Sequence, residues 1–253
     1  MSTAQERAAD EAPPTEWYVQ AALGFHRHST YGDFPEPTPA GLLPSAGTPE
    51  EGTDEGPAGC GGSRARGGPE ELVRLTAGRR SRRTRAERVS ERSLARALAA
   101  ALVPEPSTGR RPYPSAGGCY AVSVHVLVQD VEGLAPGVYA WDSRSGALTA
   151  REGAGAADAD VAGVLRTTVI RPAEVQAVLL LTADMEVYGA RYGERGYRYA
   201  LLEAGHMGQN LTLALHLLGV ANCPLGGFRD DHVSRLLHPE QPLRLPVYGV
   251  VLP

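Results

Sequence analysis

Apolar residues recur along this chain with two different periods, and the change from one to the other marks its elements. After Ser90, Leu94, Leu98 and Leu102 return at i, i+4 and i+8, which predicts an amphipathic helix with Ser90 as its N-cap and Pro104 and Pro106 ending it. Between 120 and 128 the period falls to two. Val122, Val124, Val126 and Val128 share one face, so this segment is a strand. Short strands over 138–141 and 147–150 extend an antiparallel set, and the apolar run 175–182 predicts a buried strand. From Tyr197 to Leu218 the chain is helical and apolar nearly all round (Leu201, Leu202, Met207, Leu211, Leu215), with Gly219 as the residue past its end. Such a helix belongs in a core or a dimer interface. A short helix through Leu72 and Leu75 and a last strand over 246–252 complete the pattern. Strands and helices do not alternate as βαβ units and no repeat is present, so the fold class is α+β: an antiparallel-rich central sheet flanked by helices.

Residues 1–69 lack this patterning. Pro13-Pro14, Pro35-Glu36-Pro37, Glu50-Glu51 and Asp54-Glu55-Gly56-Pro57 make them an extension rich in Pro, Gly and acid, with too little apolar surface to offset its ordering entropy. The patch from Trp17-Tyr18-Val19 to Phe25 is its candidate anchor, and 43–69 reads as a linker. The folded domain is expected over 70–253. The opening residues lack a secretory pattern and no apolar run approaches the roughly 20 residues of a membrane helix, so a cytoplasmic location without membrane contact is expected. Cys60, Cys119 and Cys223 stand far apart, against a disulfide framework or a zinc site. The net charge of −4 gives no sign of nucleic-acid binding. All 25 basic residues are arginine. Without lysine, a P-loop and Schiff-base catalysis by a side-chain amine are excluded.

Four segments could carry chemistry. Arg79-Arg80-Ser81-Arg82-Arg83 can hold a phosphate dianion by charge-assisted bonds, or can be a solvated basic face. Arg111-Pro112-Tyr113-Pro114-Ser115-Ala116-Gly117-Gly118 can bring backbone amides close to a ligand, or can be a tight turn into the strand. Cys223-Pro224-Leu225-Gly226-Gly227-Phe228 can lie flat against a ring, or can be a plain helix-to-strand turn. Arg191-Tyr192-Gly193-Glu194-Arg195-Gly196-Tyr197-Arg198-Tyr199, on a loop before the long helix, can contact substrate and move a proton, or can pack a dimer. Other signals carry less. Glu203 and His206 have half of a di-iron helix motif with no second half, and read as packing or hydrogen-bonding groups. Gly153-x-Gly155 is no dinucleotide fingerprint, His125 reads as a structural histidine, and His26 and His28 have no partner cysteines. Asp230-Asp231 reads as the cap of a following helix.

Order and spacing join the segments. Arg79-Arg80-Ser81-x-Arg83, Tyr113-Pro114-Ser115-Ala116-Gly117-Gly118-x-Tyr120, Arg191-Tyr192-Gly193-x-Arg195-Gly196-Tyr197-Arg198-Tyr199, Glu203-Ala204-Gly205-His206, Gln209-Asn210-Leu211 and Gly226-Gly227-Phe228-x-Asp230 resemble the SagB-type dehydrogenases. These are FMN-dependent enzymes of the nitroreductase-like fold, several of which oxidise azolines to azoles in peptide natural products. Phe25-His26-Arg27-His28-Ser29 is similar to that group's opening motif. The resemblance implies a homodimer with FMN at each subunit interface. Arg79, Arg80, Ser81 and Arg83 would hold the phosphate and ring edge from one subunit. Pro114, Ser115 and Gly117 would meet the flavin from the other, and Pro224, Leu225, Gly226 and Gly227 would lie beside its ring.

Azoline oxidases of this group carry Lys-Tyr where this chain has Arg191-Tyr192. Lysine can lose its proton in a desolvated site and arginine effectively cannot, so Arg191 would orient substrate or steady negative charge while Tyr192 accepts the proton. A second departure is the C-terminal strand, where Arg244 is the nearby substitute for the basic phosphate contacts that nitroreductases of this fold often carry. The expected activity is oxidation of a thiazoline or oxazoline to the azole, on a peptide presented by a cyclodehydratase, with O2 re-oxidising the flavin. Alternatives are another flavin-dependent dehydrogenation of a peptide or carrier-bound intermediate, an NAD(P)H-dependent nitro or quinone reductase, and a non-catalytic scaffold subunit.

Overall fold

The computed structural model describes residues 68–151, 160–166 and 169–253. The N-terminal anchor patch and linker, the Phe25–Ser29 motif, His26 and His28 and Gly153-x-Gly155 lie outside the described residues. Helix α1 spans Pro69–Gly78 and α2 spans Glu91–Leu102. A single 3-10 turn, Ala116–Gly118, leads to β1 (Val122–Val128), β2 (Gly137–Asp142) and β3 (Ala147–Ala150). Then come α3 (Val161–Val164), β4 (Ala177–Asp184), α4 (Met185–Tyr192), α5 (Arg195–Leu217), β5 (Cys223–Leu225), α6 (Asp230–Leu237) and β6 (Arg244–Leu252). The strands form one antiparallel sheet in the order β3-β2-β1-β4-β6-β5. Among the described residues no helix is long and apolar enough to cross a membrane.

The sheet is covered on both faces, and alternation assigns each side chain to one of them. Val122, Val124, Val126 and Val128 of β1 and Ala177, Leu179, Leu181 and Ala183 of β4 pack with α2 and α5. Leu127, Val178, Leu180 and Val251 point the other way, toward α3 and α6. β4 therefore reads as a continuous apolar run because it is central and buried on both sides. Ser90 caps α2, its hydroxyl accepting from the Ser93 amide as expected. Gly219, with φ +74, ends α5 in the left-handed conformation that glycine adopts without strain.

Several expectations need correction. The segment 191–199 is not a loop: Arg191 and Tyr192 are the last residues of α4, and Arg195–Tyr199 begins α5. Asp230 and Asp231 lie in the first turn of α6, whose N-cap is Arg229; they favour the helix electrostatically rather than capping it. Residues 223–225 form a short edge strand instead of a simple turn. The core does not take up the whole apolar surface of α5, since Leu202 is 53% and Leu217 69% exposed within the single chain.

Gln176, fully buried just before β4, ties distant segments together. Its side chain accepts from the Val89 amide (2.7 Å) and donates to the carbonyls of Glu87 (3.1 Å) and Pro253 (2.7 Å). Its backbone carbonyl accepts from Gln129 and Asp130. Gln176→Leu strands a buried amide and two carbonyls, so a loss of about 2–4 kcal/mol is expected in a urea titration.

On the α6 side of the sheet, His125 and His238 stack edge to face with centroids 4.9 Å apart, and His238 shares a 3.1 Å hydrogen bond with Thr182. Burial is the main reason both rings resist protonation, helped by Arg151 and Arg244 and opposed at His238 by Asp184. His125 is held down to about 3 and His238 to about 4. The unfolded chain, with ordinary histidines near about 6.5, takes up protons first. Stability from this pair is therefore complete above that pH and declines as pH falls toward the folded values. The urea midpoint should drop between pH 7 and pH 5, and His125→Phe should flatten part of that drop.

Candidate functional site

The predicted residues assemble into two clusters. The first begins where α1 ends. Arg80 turns back to donate to the carbonyls of Ala77 (2.5 Å) and Arg79 (3.0 Å), closing the helix. The Arg82 amide donates to the Asn222 carbonyl at 2.9 Å, which seats the arginine segment beside the start of β5. Arg79 is half-buried, and its Nη1 is fully enclosed with no hydrogen bond within the described residues. It lies near Tyr248, whose hydroxyl is pushed up by burial against the opposing pull of Arg79. Tyr248 in turn packs on Gly208 of α5, where any Cβ would collide with its ring. Arg80, Ser81, Arg82 and Arg83 are exposed, whereas Arg85 and Arg88 are committed to Asp130. The arginine run thus divides into a half facing outward and a half used to hold the turn after β1.

Pro224 is half-buried and Leu225 buried in β5, while Gly226 and Gly227 are exposed. A Cβ at Gly226 would meet nothing within 4 Å, so its surface is open to a flat neighbour. The Gly227 carbonyl accepts from the Arg166 amide at 3.0 Å, which fastens this loop to the end of α3. Asn222 thus brings the first and third predicted segments together.

The second cluster surrounds the 3-10 turn. Gly117 (φ +56), Gly118 (φ +66) and Tyr120 (φ +46) all lie in the left-handed region, which costs the two glycines nothing and strains Tyr120. Pro114 is exposed and Ser115 half-buried. Arg191 donates to the Gly117 carbonyl at 2.8 Å and its guanidinium lies 5.7 Å from the centroid of the Tyr192 ring. Tyr192 packs edge-on against Tyr199, centroids 4.7 Å apart. The α4–α5 elbow permits this: Gly193 has φ +56, and a Cβ on Gly196 would lie 2.6 Å from the Tyr188 carbonyl. Arg191 also sits in the last turn of α4, where a cation is favoured.

Two residues in this cluster have roles that the sequence did not single out. Asn210 of α5 donates to the Pro112 carbonyl at 2.8 Å. Glu203 is 1% exposed and accepts from the hydroxyls of Ser115 and Tyr188. The signal available for both was their place in the ordered motifs, which does not reveal what they bind. A Cβ on Gly117 would fall 2.6 Å from Arg191 Cζ and closer still to the Tyr192 hydroxyl, whereas one on Gly118 would touch only Tyr120 at 3.9 Å. Gly118→Ala should therefore cost about 1 kcal/mol from backbone strain. Gly117→Ala should cost about 1–3 kcal/mol more and displace Arg191 and Tyr192, as checked by thermal melting and by the change in tyrosine near-ultraviolet circular dichroism.

The pattern of the Nitroreductase family matches residues 76–251, which span both clusters. The protein MJ1384 of Methanocaldococcus jannaschii, named for a nitroreductase, is 31% identical over 162 residues, or 62% of this chain and 79% of its own. The microcin B17-processing protein McbC of Escherichia coli is 29% identical over 160 residues; the match takes in 58% of this chain but only 57% of McbC. A chain of the E. coli microcin synthetase McbBCD complex, with truncated pro-MccB17 bound, superposes with a TM-score of 0.58 at 21% identity, covering 94% of this chain and 93% of that one, and so shares the fold. The six-stranded antiparallel sheet, the long helix beneath it and a family match over most of the length lead to one conclusion: this chain belongs to the nitroreductase family.

Proposed function

We propose that the protein is an FMN-dependent dehydrogenase of the SagB type that oxidises thiazoline or oxazoline rings of a peptide to the azoles, as a cytoplasmic homodimer. Its FMN-binding domain is residues 70–253, with 1–69 as an extension outside it. The observation that carries this reading is the convergence of Arg191 and Tyr192 on Gly117, which joins the two segments assigned to substrate and to cofactor in one surface. The likeness to McbC, a peptide-processing protein by name, supports the substrate class.

The residues fit a flavin mononucleotide. An enclosed guanidinium nitrogen at Arg79 with no hydrogen bond among the described residues, beside exposed Arg80, Ser81 and Arg83, suits a phosphate dianion or a polar ring edge. Pro224, Leu225, Gly226 and Gly227 offer low relief to a flat ring, and Pro114, Ser115 and Gly117 offer a second such surface. Gly208 and Glu203 are five positions apart on α5, so their clusters leave that helix in directions differing by about 140°. A cofactor touching both is most simply held between the first cluster of one chain and the second cluster of another. The exposed apolar residues of α1 (Leu72, Val73) and of α5 (Leu201, Leu202, Leu217) give a second copy surface to cover.

FMN, when bound, supplies the two-electron acceptor, with O2 as terminal oxidant. Making an azole also requires that a ring carbon lose a proton. Tyr192 accepts it as the phenolate and becomes the phenol, and Arg191 steadies the negative charge while holding the Gly117 carbonyl. A cyclodehydratase that closes the azoline ring is the expected partner. The purified protein should be yellow and release close to one FMN per chain on heating. Tyr192→Phe should lower turnover of a thiazoline peptide by about 100-fold or more with FMN content unchanged. A colourless protein that takes up no added FMN would overturn the flavin reading and favour a scaffold subunit. Unchanged turnover in Tyr192→Phe would remove the proton role, and rapid flavin reduction by NADPH would favour a nitro or quinone reductase.

A further inference from the structure

The turn that carries Ser115 is oriented from below by Glu203. Two hydroxyls reach one oxygen of this carboxylate. The Tyr120 amide donates to Ser115 Oγ at 2.9 Å, and the Ser115 hydroxyl donates to Glu203 Oε2. The Tyr188 hydroxyl donates to the same Oε2 at 2.7 Å. Direction is set by the two ends: an amide only donates and a carboxylate oxygen only accepts, so both hydroxyl protons point at Glu203. Ser115 has one proton and it is spent. What its oxygen can still offer a neighbour is a lone pair.

Packing does not account for the carboxylate. Glu203 Oε1 is buried and makes no hydrogen bond within the described residues. A buried, half-satisfied acid costs stability where an apolar side chain would pack more favourably. Its gain lies in orientation, since it aligns the turn that carries Ser115 and the Tyr120 amide just ahead of β1.

We propose that Glu203 is a positioning residue that makes Ser115 a hydrogen-bond acceptor only, so that the ligand group received by the turn 115–118 is an N–H or O–H donor; this rests on the flavin reading above. The oxidised isoalloxazine ring has a single ring N–H, on its pyrimidine ring, and that edge is the part of FMN with the matching chemistry. Ser115 thereby selects which edge of the cofactor faces the turn, and Glu203 sets that selection from outside the contact.

The test is a double-mutant cycle on FMN affinity, read by quenching of flavin fluorescence. Glu203→Leu and Ser115→Ala should each weaken binding by about tenfold or more, and the double variant should be no weaker than the weaker single. Glu203→Gln keeps an acceptor oxygen for both hydroxyls and should bind within about threefold of the parent. 3-Methyl-FMN, which lacks the N–H, should bind the parent at least about tenfold more weakly than FMN, and Ser115→Ala should lose that discrimination. Effects of the two substitutions that simply multiply, or full affinity in Glu203→Leu, would overturn the proposal. Amide hydrogen exchange in the flavin-free protein separates this from the cofactor reading. The Tyr120 amide should exchange faster in Glu203→Leu and at the parental rate in Glu203→Gln. Unchanged exchange in Glu203→Leu overturns the relay whatever the flavin does, while faster exchange in a protein that binds no flavin upholds the relay and rejects the cofactor.

Discussion

A carboxylate placed inside a protein must find donors, and around Glu203 that demand organises the candidate site. The acid projects from α5 into the space beneath the start of β1, where Ser115 and Tyr188 supply their hydroxyl protons. Ser115 is thereby joined to α5, Tyr188 joins α4 to the same point, and the amide of Tyr120 is drawn in behind Ser115. The turn at Gly117 and Gly118, which runs into the strained Tyr120, is held between this anchor and the Arg191 bond to the Gly117 carbonyl. Strain of this kind persists only where the surroundings over-determine it, and here a buried network and a surface clamp both do so.

The elbow between α4 and α5 gives the arrangement its reach. Gly193 supplies the left-handed residue that ends α4, and Gly196 lets α5 approach the Tyr188 backbone. Arg191 and Tyr192 are therefore presented from a helix end rather than a free loop, with few degrees of freedom left. The absence of lysine gives this geometry a chemical consequence. A guanidinium at position 191 clamps and orients but does not exchange protons near neutral pH, which leaves the neighbouring phenol as the proton-transfer group in the proposed reaction.

The two clusters obtain their rigidity from different sources. The arginine segment is pinned by Asn222 at one end and, through Glu87 and Val89, by Gln176 at the other. Gln176 also holds Pro253, so the segment leading into α2, the turn after β1 and the last strand share one buried amide. On the opposite face of the sheet, the His125–His238 pair and the apolar contacts of α3 and α6 complete a second core, which Leu225 of the first cluster joins.

The sequence by itself determined what short-range periodicity encodes. The alternation of Val122 to Val128, the run across 175–182, the leucine spacing after Ser90 and the stop at Gly219 each reflect local geometry, and each element appears where its pattern placed it to within two residues. The ordered motifs likewise singled out Arg79–Arg83, Pro114–Gly117, Arg191–Tyr192 and Pro224–Gly227 as candidates, because residue type and spacing are local properties. Only the tertiary structure decided how these pieces divide and what orients them. The end of α4 at Tyr192 depends on packing against α5, which overrides the loop-like composition of 191–199. Glu203 looked like one polar residue on a helix, and its task became visible once residues 15 and 88 positions away donated to the same oxygen. Propensity acts over a few residues, whereas the satisfaction of a buried polar group is settled by whatever the fold brings beside it.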